Sequence, residues 1–286
     1  MAKWLIVGVD SKIGNAISVR LKSLGKQVLG TSRIISKPCQ PDLIYFDLIK
    51  DATTWEIPDG VKFAIFCASM TSVKECRLNP VLSNQVNVTN SITLLKRLID
   101  RDIHVVFPSS TLVFDGNTPF QKTCDPTNPV TLYGKQKATI EEMLGELPNH
   151  SIVRLSKVLE HRNPLFESWK SSLRDSKSIH PYTDLKVSPI PLGFVAEFII
   201  SIAENQYCGI FHAGGSKDLS YFDISLRLVR EMGFKRTLIK PKKAAECGIP
   251  LNEIPNHTTL DTMASYHQVG MKPPDIWKVI LDAVSK

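Results

Sequence analysis

The first 155 residues alternate short apolar runs with amphipathic stretches, and that alternation limits the chain to a parallel sheet covered on both faces. "KWLIVG" (residues 3–8) is a short apolar run bounded by glycine, typical of a buried parallel strand. After it, Ile13, Ile17, Leu21 and Leu24 recur at helical spacing, and Gly25 suits a helix exit. "KQVLGT", "LIYFD" (43–47), "FAIFCAS" (63–69), "HVVFPSS" (104–110) and "SIVRLS" (151–156) supply five more strands. The spacing predicts a long helix over 81–99, with Leu82, Val86, Leu94, Leu95 and Leu98 among its apolar positions. It predicts another over 133–147, with Ile140, Met143, Leu144 and Leu147 on one face.

The turn between the first strand and the first helix reads "GVDSKIG" (8–14). Glycines there let the backbone approach a dinucleotide pyrophosphate, which the helix N-terminus holds. Gly8, Ser11, Lys12, Ile13 and Gly14 are therefore candidate cofactor-binding residues. The expected fold class is α/β, a Rossmann-type doubly wound parallel sheet. A third glycine belongs between Gly8 and Gly14, and Ser11 stands in its place. Its β-carbon would crowd a phosphate, while its hydroxyl could donate to one. The second strand ends "GTSR", with no acidic residue before Asp42 to meet a ribose 2′-hydroxyl. Arg33 instead offers a positive fork for a 2′-phosphate, which favours NADP and leaves NAD open. Asp47 either accepts from an adenine amino group or caps a helix.

After Leu155 the rhythm weakens. Proline-marked segments ("NPLF", "IHPY", "VSPIPL") precede a helix near 192–204, a strand "GIFHAGG", a helix over 221–232 and a last helix near 275–284. The expected organisation is a dinucleotide-binding domain over 1–154, rejoined by 190–213. A smaller, loop-rich substrate lobe would come from 155–189 and 214–286.

Composition narrows the function classes. Of 286 residues 43% are apolar, enough for a substantial core, yet no run of 18 apolar residues exists to span a bilayer. The start lacks a signal peptide's long apolar stretch, so the expected compartment is the cytoplasm. The six cysteines show neither C-x-x-C nor zinc-ligand spacing, and no metal is expected. Cys67 and Cys208 read as small core residues. The net charge of +7 is spread along the chain, with a short cluster only at 240–246. A nucleic-acid footprint would be a concentrated stripe, so anionic small molecules are the better match.

"LYGKQK" (132–137) carries the chemistry. On a helix, Tyr133 and Lys137 are one turn apart on the same face. A free phenol has a pKa of about 10, and a nearby ammonium would lower it. "PSSTLVFDG" leaves the fifth strand at the sheet's carboxyl edge, where such sheets bind ligands, and offers hydroxyl donors to a reacting oxygen.

The order of glycine turn, serine-rich strand end and Tyr-x-x-x-Lys resembles the extended short-chain dehydrogenase/reductase superfamily. Within it, "SSTLVFDG" and "PTNPVTLYGKQKATIEE" are similar to the dTDP-4-dehydrorhamnose reductase group of nucleotide-sugar reductases. "VSPIPLGFVAEFI" and "GIFHAGGSKDLSYFDI" resemble that group's later segments. The resemblance implies Tyr133 as general acid toward a keto oxygen. It implies Lys137 as the residue that tunes the phenol and binds the nicotinamide ribose, and Ser110 as a hydrogen-bond donor to the same oxygen. Ala68 and Ser69 would line the cofactor, and Asn87 ("NVTN") would lie near the site unless it is a buried polar residue satisfied by backbone. Thr111, Val113 and Lys157 fall on the substrate side.

Thr111 and Leu112 stand where those reductases have aspartate and tyrosine, and Lys157 where an aromatic residue is common. The sugar, or the substrate class, would then differ. The reading is an NADP-dependent reductase of a keto group on a nucleotide-activated deoxysugar. A nucleotide-sugar epimerase and a non-catalytic, cofactor-binding regulatory subunit are the alternatives. The helices at 81–99 and 133–147 offer a homodimer interface.

Overall fold

The computed structural model describes residues 2–34 and 41–284. Among these, eleven strands form: β1 (Lys3–Val7), β2 (Gln27–Ser32), β3 (Leu43–Tyr45), β4 (Val61–Phe66), β5 (His104–Ser110), β6 (His150–Leu155), β7 (Lys157–Leu159), β8 (Lys186–Val187), β9 (Pro189–Pro191), β10 (Gly209–Ala213) and β11 (Leu219–Ser220). The helices that position the site are α1 (Lys12–Ser23), α2 (Leu48–Asp51), α3 (Val73–Leu78), α4 (Pro80–Asn84), α5 (Ser91–Ile99) and α6 (Leu132–Gly145). Later come α7 (Pro164–Arg174), α8 (Leu192–Glu204), α9 (Tyr221–Glu231), α10 (Met263–Val269) and α11 (Ile276–Asp282).

The chain divides into two compact units. The first holds Met1–Val113, Thr127–Arg154 and Val195–Phe211; the second holds Phe114–Pro126, Leu155–Phe194 and His212–Lys286.

The first unit is built on a seven-stranded sheet in the order β10-β6-β5-β4-β1-β2-β3. The β1–β2, β1–β4, β2–β3 and β4–β5 pairs are parallel, with Leu5 opposite Leu29 on one side and Ala64 on the other. This is the doubly wound Rossmann-type sheet that the alternating pattern predicts. Its chain order reverses between β1 and β4, so the topological switch point, where such sheets take ligands, lies at their carboxyl ends. Leu5, Val7, Ala64, Phe66 and Val105 pack with Leu94, Leu98, Ile140 and Leu144, all fully or nearly fully buried. α8 carries ion pairs to the first helix region, Arg20 to Glu197 and Lys26 to Glu204.

The helix expected over 81–99 is not continuous. α4 passes through a π-helical turn at Gln85–Asn90 before α5 begins. A π turn holds an extra residue and rotates the following face by about 100° relative to an unbroken helix. After this turn Leu94, Leu95 and Leu98 are buried, while Val81 and Leu82, before it, are exposed.

In the second unit β7 pairs parallel with β9, and β8 antiparallel with β11. Its own core contains Phe166, Trp169, Ile224, Leu228, Val279 and Ile280. The Asp218 carboxylate accepts from the backbone of Thr258 and Thr259, from both their hydroxyls, and pairs with His257 Nδ1 at 2.9 Å, so it anchors that segment. His180 is an exposed loop histidine. Cys67 is half-buried, but Cys208 is exposed just after α8, outside the apolar face it was expected to join. Cys39 lies outside the described residues. No described helix is long and apolar enough to cross a membrane.

Candidate active site

The switch point is bounded by two backbones in contact. Gly8 has φ +85°, and a β-carbon there would meet Ala68 N at 2.8 Å. The turn after β1 therefore presses directly on the loop after β4. At Gly14 a β-carbon would meet Gly8 O at 2.5 Å and Ser11 Oγ at 2.8 Å. Both glycines are required by space, and Gly8 by conformation too. Thr31 pins the turn to β2, its hydroxyl accepting from Gly8 N at 3.0 Å. Ser11 is the N-cap of α1, and its Oγ accepts from Gly14 N at 3.0 Å. The residue that replaces the third glycine thus satisfies a helix N–H that a phosphate would otherwise meet. Lys12 is exposed and Ile13 partly buried; Arg33 is exposed at the end of β2. Asp47 takes the capping use, accepting from Ile49 N at 3.0 Å at the start of α2.

α6 starts where its chemistry is needed. Thr131 caps it, accepting from Gly134 N at 3.0 Å. Tyr133 and Lys137 follow on one buried face, 7% and 5% exposed. Lys137 Nζ donates to Pro108 O at 2.9 Å, lies 4.3 Å from the Phe107 ring centroid and 5.8 Å from that of Tyr133. Ser110 ends β5, and its Oγ accepts from Leu112 N at 3.2 Å. Burial, with a smaller contribution from Cys76, pushes the Tyr133 phenol above its ordinary range. Burial also brings Lys137 down to about 8, against the opposing pull of Cys67 and Glu141. This differs from the expectation that the ammonium would lower the phenol: burial, which disfavours a phenolate, sets the direction of the shift. Tyr133 therefore keeps its proton at neutral pH.

Behind the pair lie two buried polar networks. One turn after Lys137, Glu141 accepts from Ser109 Oγ and from Arg154 Nε and Nη2, at 3.0 and 2.8 Å, which joins α6 to β5 and β6. Nearer the switch point, Asn87 sits inside the π-helical turn. Its Oδ1 accepts from Met70 N at 2.7 Å and Ser69 Oγ at 2.9 Å, and its Nδ2 donates to Met70 O at 2.9 Å and Gln136 Oε1 at 2.8 Å. All the hydrogen-bonding capacity of Asn87 is used inside the protein. It holds the loop after β4 in the satisfied, buried manner that was the alternative to a direct cofactor contact.

Of the substrate-side candidates, Thr111 is half-buried beside Ser110, whereas Val113 is fully buried and its side chain belongs to the core. Lys157 is exposed and belongs to the second unit. Glu141, Ser109, Gln136 and Gly134 were not singled out from sequence. Gly134 and Glu141 lie within the segment that carried the resemblance, though no role was given to them; Gln136 and Ser109 left only the signal of a polar residue next to buried apolar ones.

The model of the RmlD substrate binding domain family matches residues 2–286. The chain belongs to that family. Membership bears out the resemblance to the nucleotide-sugar reductase group read from the central motifs. A "Probable low-salt glycan biosynthesis reductase" of Haloferax volcanii is 26% identical over 281 residues, covering 95% of this chain and 93% of the relative. The dTDP-4-dehydrorhamnose reductase of Aggregatibacter actinomycetemcomitans is 26% identical over 250 residues, 83% of this chain and 82% of that one. Among solved structures, the dTDP-4-dehydrorhamnose reductase of Bacillus anthracis, in complex with NADP, superposes with a TM-score of 0.83 at 17% identity, covering 99% of this chain and 98% of that one. At that identity the likeness speaks for the fold.

Proposed function

We propose that the chain is an NADP-dependent reductase of a keto group on a nucleotide-activated deoxysugar. The observation that carries this reading is the buried Tyr133–Lys137 pair on α6, with Lys137 Nζ held by Pro108 O at 2.9 Å next to the serine-ended strand β5. The names of the family relatives support the substrate class. Gly8 and Gly14 let the turn fold tightly at the N-terminus of α1, the end of a helix that suits a pyrophosphate. Gly8, Ser11, Lys12, Ile13, Gly14, Ala68 and Ser69 would hold the dinucleotide, with Arg33 toward a 2′-phosphate. NADP, when bound in its reduced form, supplies the hydride.

In this reading the chain's own residues handle the proton. Tyr133, kept protonated by burial, donates to the keto oxygen. Ser110 hydrogen-bonds the same oxygen and fixes its direction. The charged Lys137 stabilises the phenolate left behind, an effect that grows as charge develops in a dry site. Thr111 is assigned to the substrate side, where it would bear on the choice of sugar.

The test pairs binding titrations of NADPH and NADH with NADPH consumption against a panel of 4-keto nucleotide sugars. Tyr133→Phe should bind NADPH like the wild type and lose turnover by about 10²–10⁴-fold. Wild-type binding without turnover on any sugar would move the assignment to a regulatory subunit. Tightly copurifying NAD(H) with sugar epimerisation would move it to an epimerase.

A further inference from the structure

Gln136 lies between Tyr133 and Lys137 in sequence and is 2% exposed. A glutamine buried in mid-helix costs free energy unless both ends of its amide are paired. Here both are. Its Oε1 accepts from Asn87 Nδ2 at 2.8 Å and its Nε2 donates to Ser83 Oγ at 2.8 Å. Ser83 in turn donates to Pro80 O at the start of its own helix, at 3.1 Å, or to Cys76 O in α3, at 3.3 Å. At the other end, Asn87 accepts from Ser69 Oγ and Met70 N, as described above. Donors and acceptors match along the whole run, so both amide orientations are fixed.

The run therefore has a direction and two ends. One end is the loop after β4, which forms the far wall of the switch-point crevice because Ala68 abuts Gly8. The other is α6, at the residue flanked by the chemical pair. Between them stands the π-helical turn, the irregularity that aims Asn87 at Met70 and Gln136 together. Nothing in packing alone requires this arrangement, since a leucine at 136 would fill similar space without the two bonds.

We infer that Gln136 is a positioning residue that couples the loop Ala68–Met70 to α6. The backbone that borders the dinucleotide and the helix that carries the proton donor then hold one fixed separation. Gln136 touches neither cofactor nor substrate; it acts through Asn87. The inference rests on the reductase reading for its catalytic consequence, but its structural content is measured by NADPH binding alone.

The experiment measures NADPH affinity, turnover and thermal stability for Gln136→Leu, Gln136→Glu and Asn87→Ala, and for the Gln136→Leu/Asn87→Ala pair. Gln136→Leu should weaken NADPH binding by about tenfold and lower kcat, leaving KM for the sugar unchanged. Gln136→Glu keeps an acceptor for Asn87 and should recover most of the NADPH affinity. The double variant should bind NADPH no more weakly than Asn87→Ala, because both changes cut the same link. A purely structural role would instead lower the melting temperature of Gln136→Leu and leave its NADPH affinity intact, and that result overturns the inference. So do additive effects in the double variant. Should Gln136→Leu fail to fold, Ser83→Ala, which loosens only the far anchor, carries the same comparison with Gln136→Glu. A wild type that binds NADPH yet reduces no sugar defeats the reductase reading but leaves the affinity comparison decisive. A wild type that binds no NADPH defeats both.

Discussion

The carbonyl oxygen of Leu112 lies 2.0 Å from the place where a β-carbon on Gly134 would stand. The first turn of α6 is therefore packed against the turn that follows Ser110, with no atom to spare. That contact limits where Tyr133 can stand relative to the end of β5.

Gly134→Ala should for this reason damage both stability and chemistry. The obstacle is backbone, which cannot swing aside as a side chain can. Overpacking of this kind costs about 1–3 kcal/mol, or several degrees of melting temperature in a domain this size. Thermal unfolding and NADPH-consumption assays on the variant check it; a melting temperature and rate equal to wild type would mean that α6 has room to shift.

The alkaline limb of the pH–rate profile should report Lys137. With its pKa near 8 in the folded chain, reduction should fall as pH rises through about 8 while the phenol stays protonated. Lys137→Arg, which keeps its charge, should lose that limb. Stability moves the other way. The folded pKa is depressed from 10.5, so between about 8 and 10.5 the unfolded chain binds more protons and stability rises with pH. Chemical denaturation at pH 7.5 and 10, wild type against Lys137→Met, measures the difference; a pH-independent gap between the two would contradict the assignment.

Glu141 and Arg154 form a pair that tolerates joint loss better than single loss. Their side chains are 4% and 3% exposed, and Glu141→Gln leaves a guanidinium buried against a neutral amide. Removing one partner of such a pair costs about 3–5 kcal/mol, while replacing both with apolar residues is often close to neutral. Urea unfolding of Glu141→Gln, Arg154→Met and a Glu141→Leu/Arg154→Met double variant should place the double above either single. The idea fails if the double variant loses as much as the two single losses added together.

Ser11→Gly should cost only a few tenths of a kcal/mol as an N-cap change. It removes the β-carbon from the glycine turn and frees Gly14 N for a phosphate oxygen, so NADPH should bind several-fold more tightly. Weaker binding in a fluorescence titration would instead show that the Ser11 hydroxyl itself contacts the phosphate.

The parallel sheet was legible because strands buried on both faces are largely apolar, and the runs at 4–7, 63–68 and 105–107 are. The chemical pair was legible because helical spacing alone stacks Tyr133 on Lys137. α7 was missed although Asn163 caps it and Pro164 opens it: the proline read as a loop marker, when the first helical turn is a place it fits. The π-helical turn left no trace, because its cause is tertiary, the pull of Met70 and Gln136 on Asn87. The direction of the Tyr133 shift was misjudged for a similar reason. Spacing shows that an ammonium is near, but only the packed structure shows how little water is left around the phenol.

The place of β10 in the sheet bears on how the protein is made. β6 has β5 on one side and β10 on the other, yet β10 is translated only after the whole of β7 to β9 and α8. A ribosome that has released β6 has thus produced a nascent sheet with one bare flank, open to pairing with a neighbouring chain. That flank closes when Gly209–Ala213 leaves the exit tunnel, so the vulnerable interval in biosynthesis is the synthesis of the segment between the two strands.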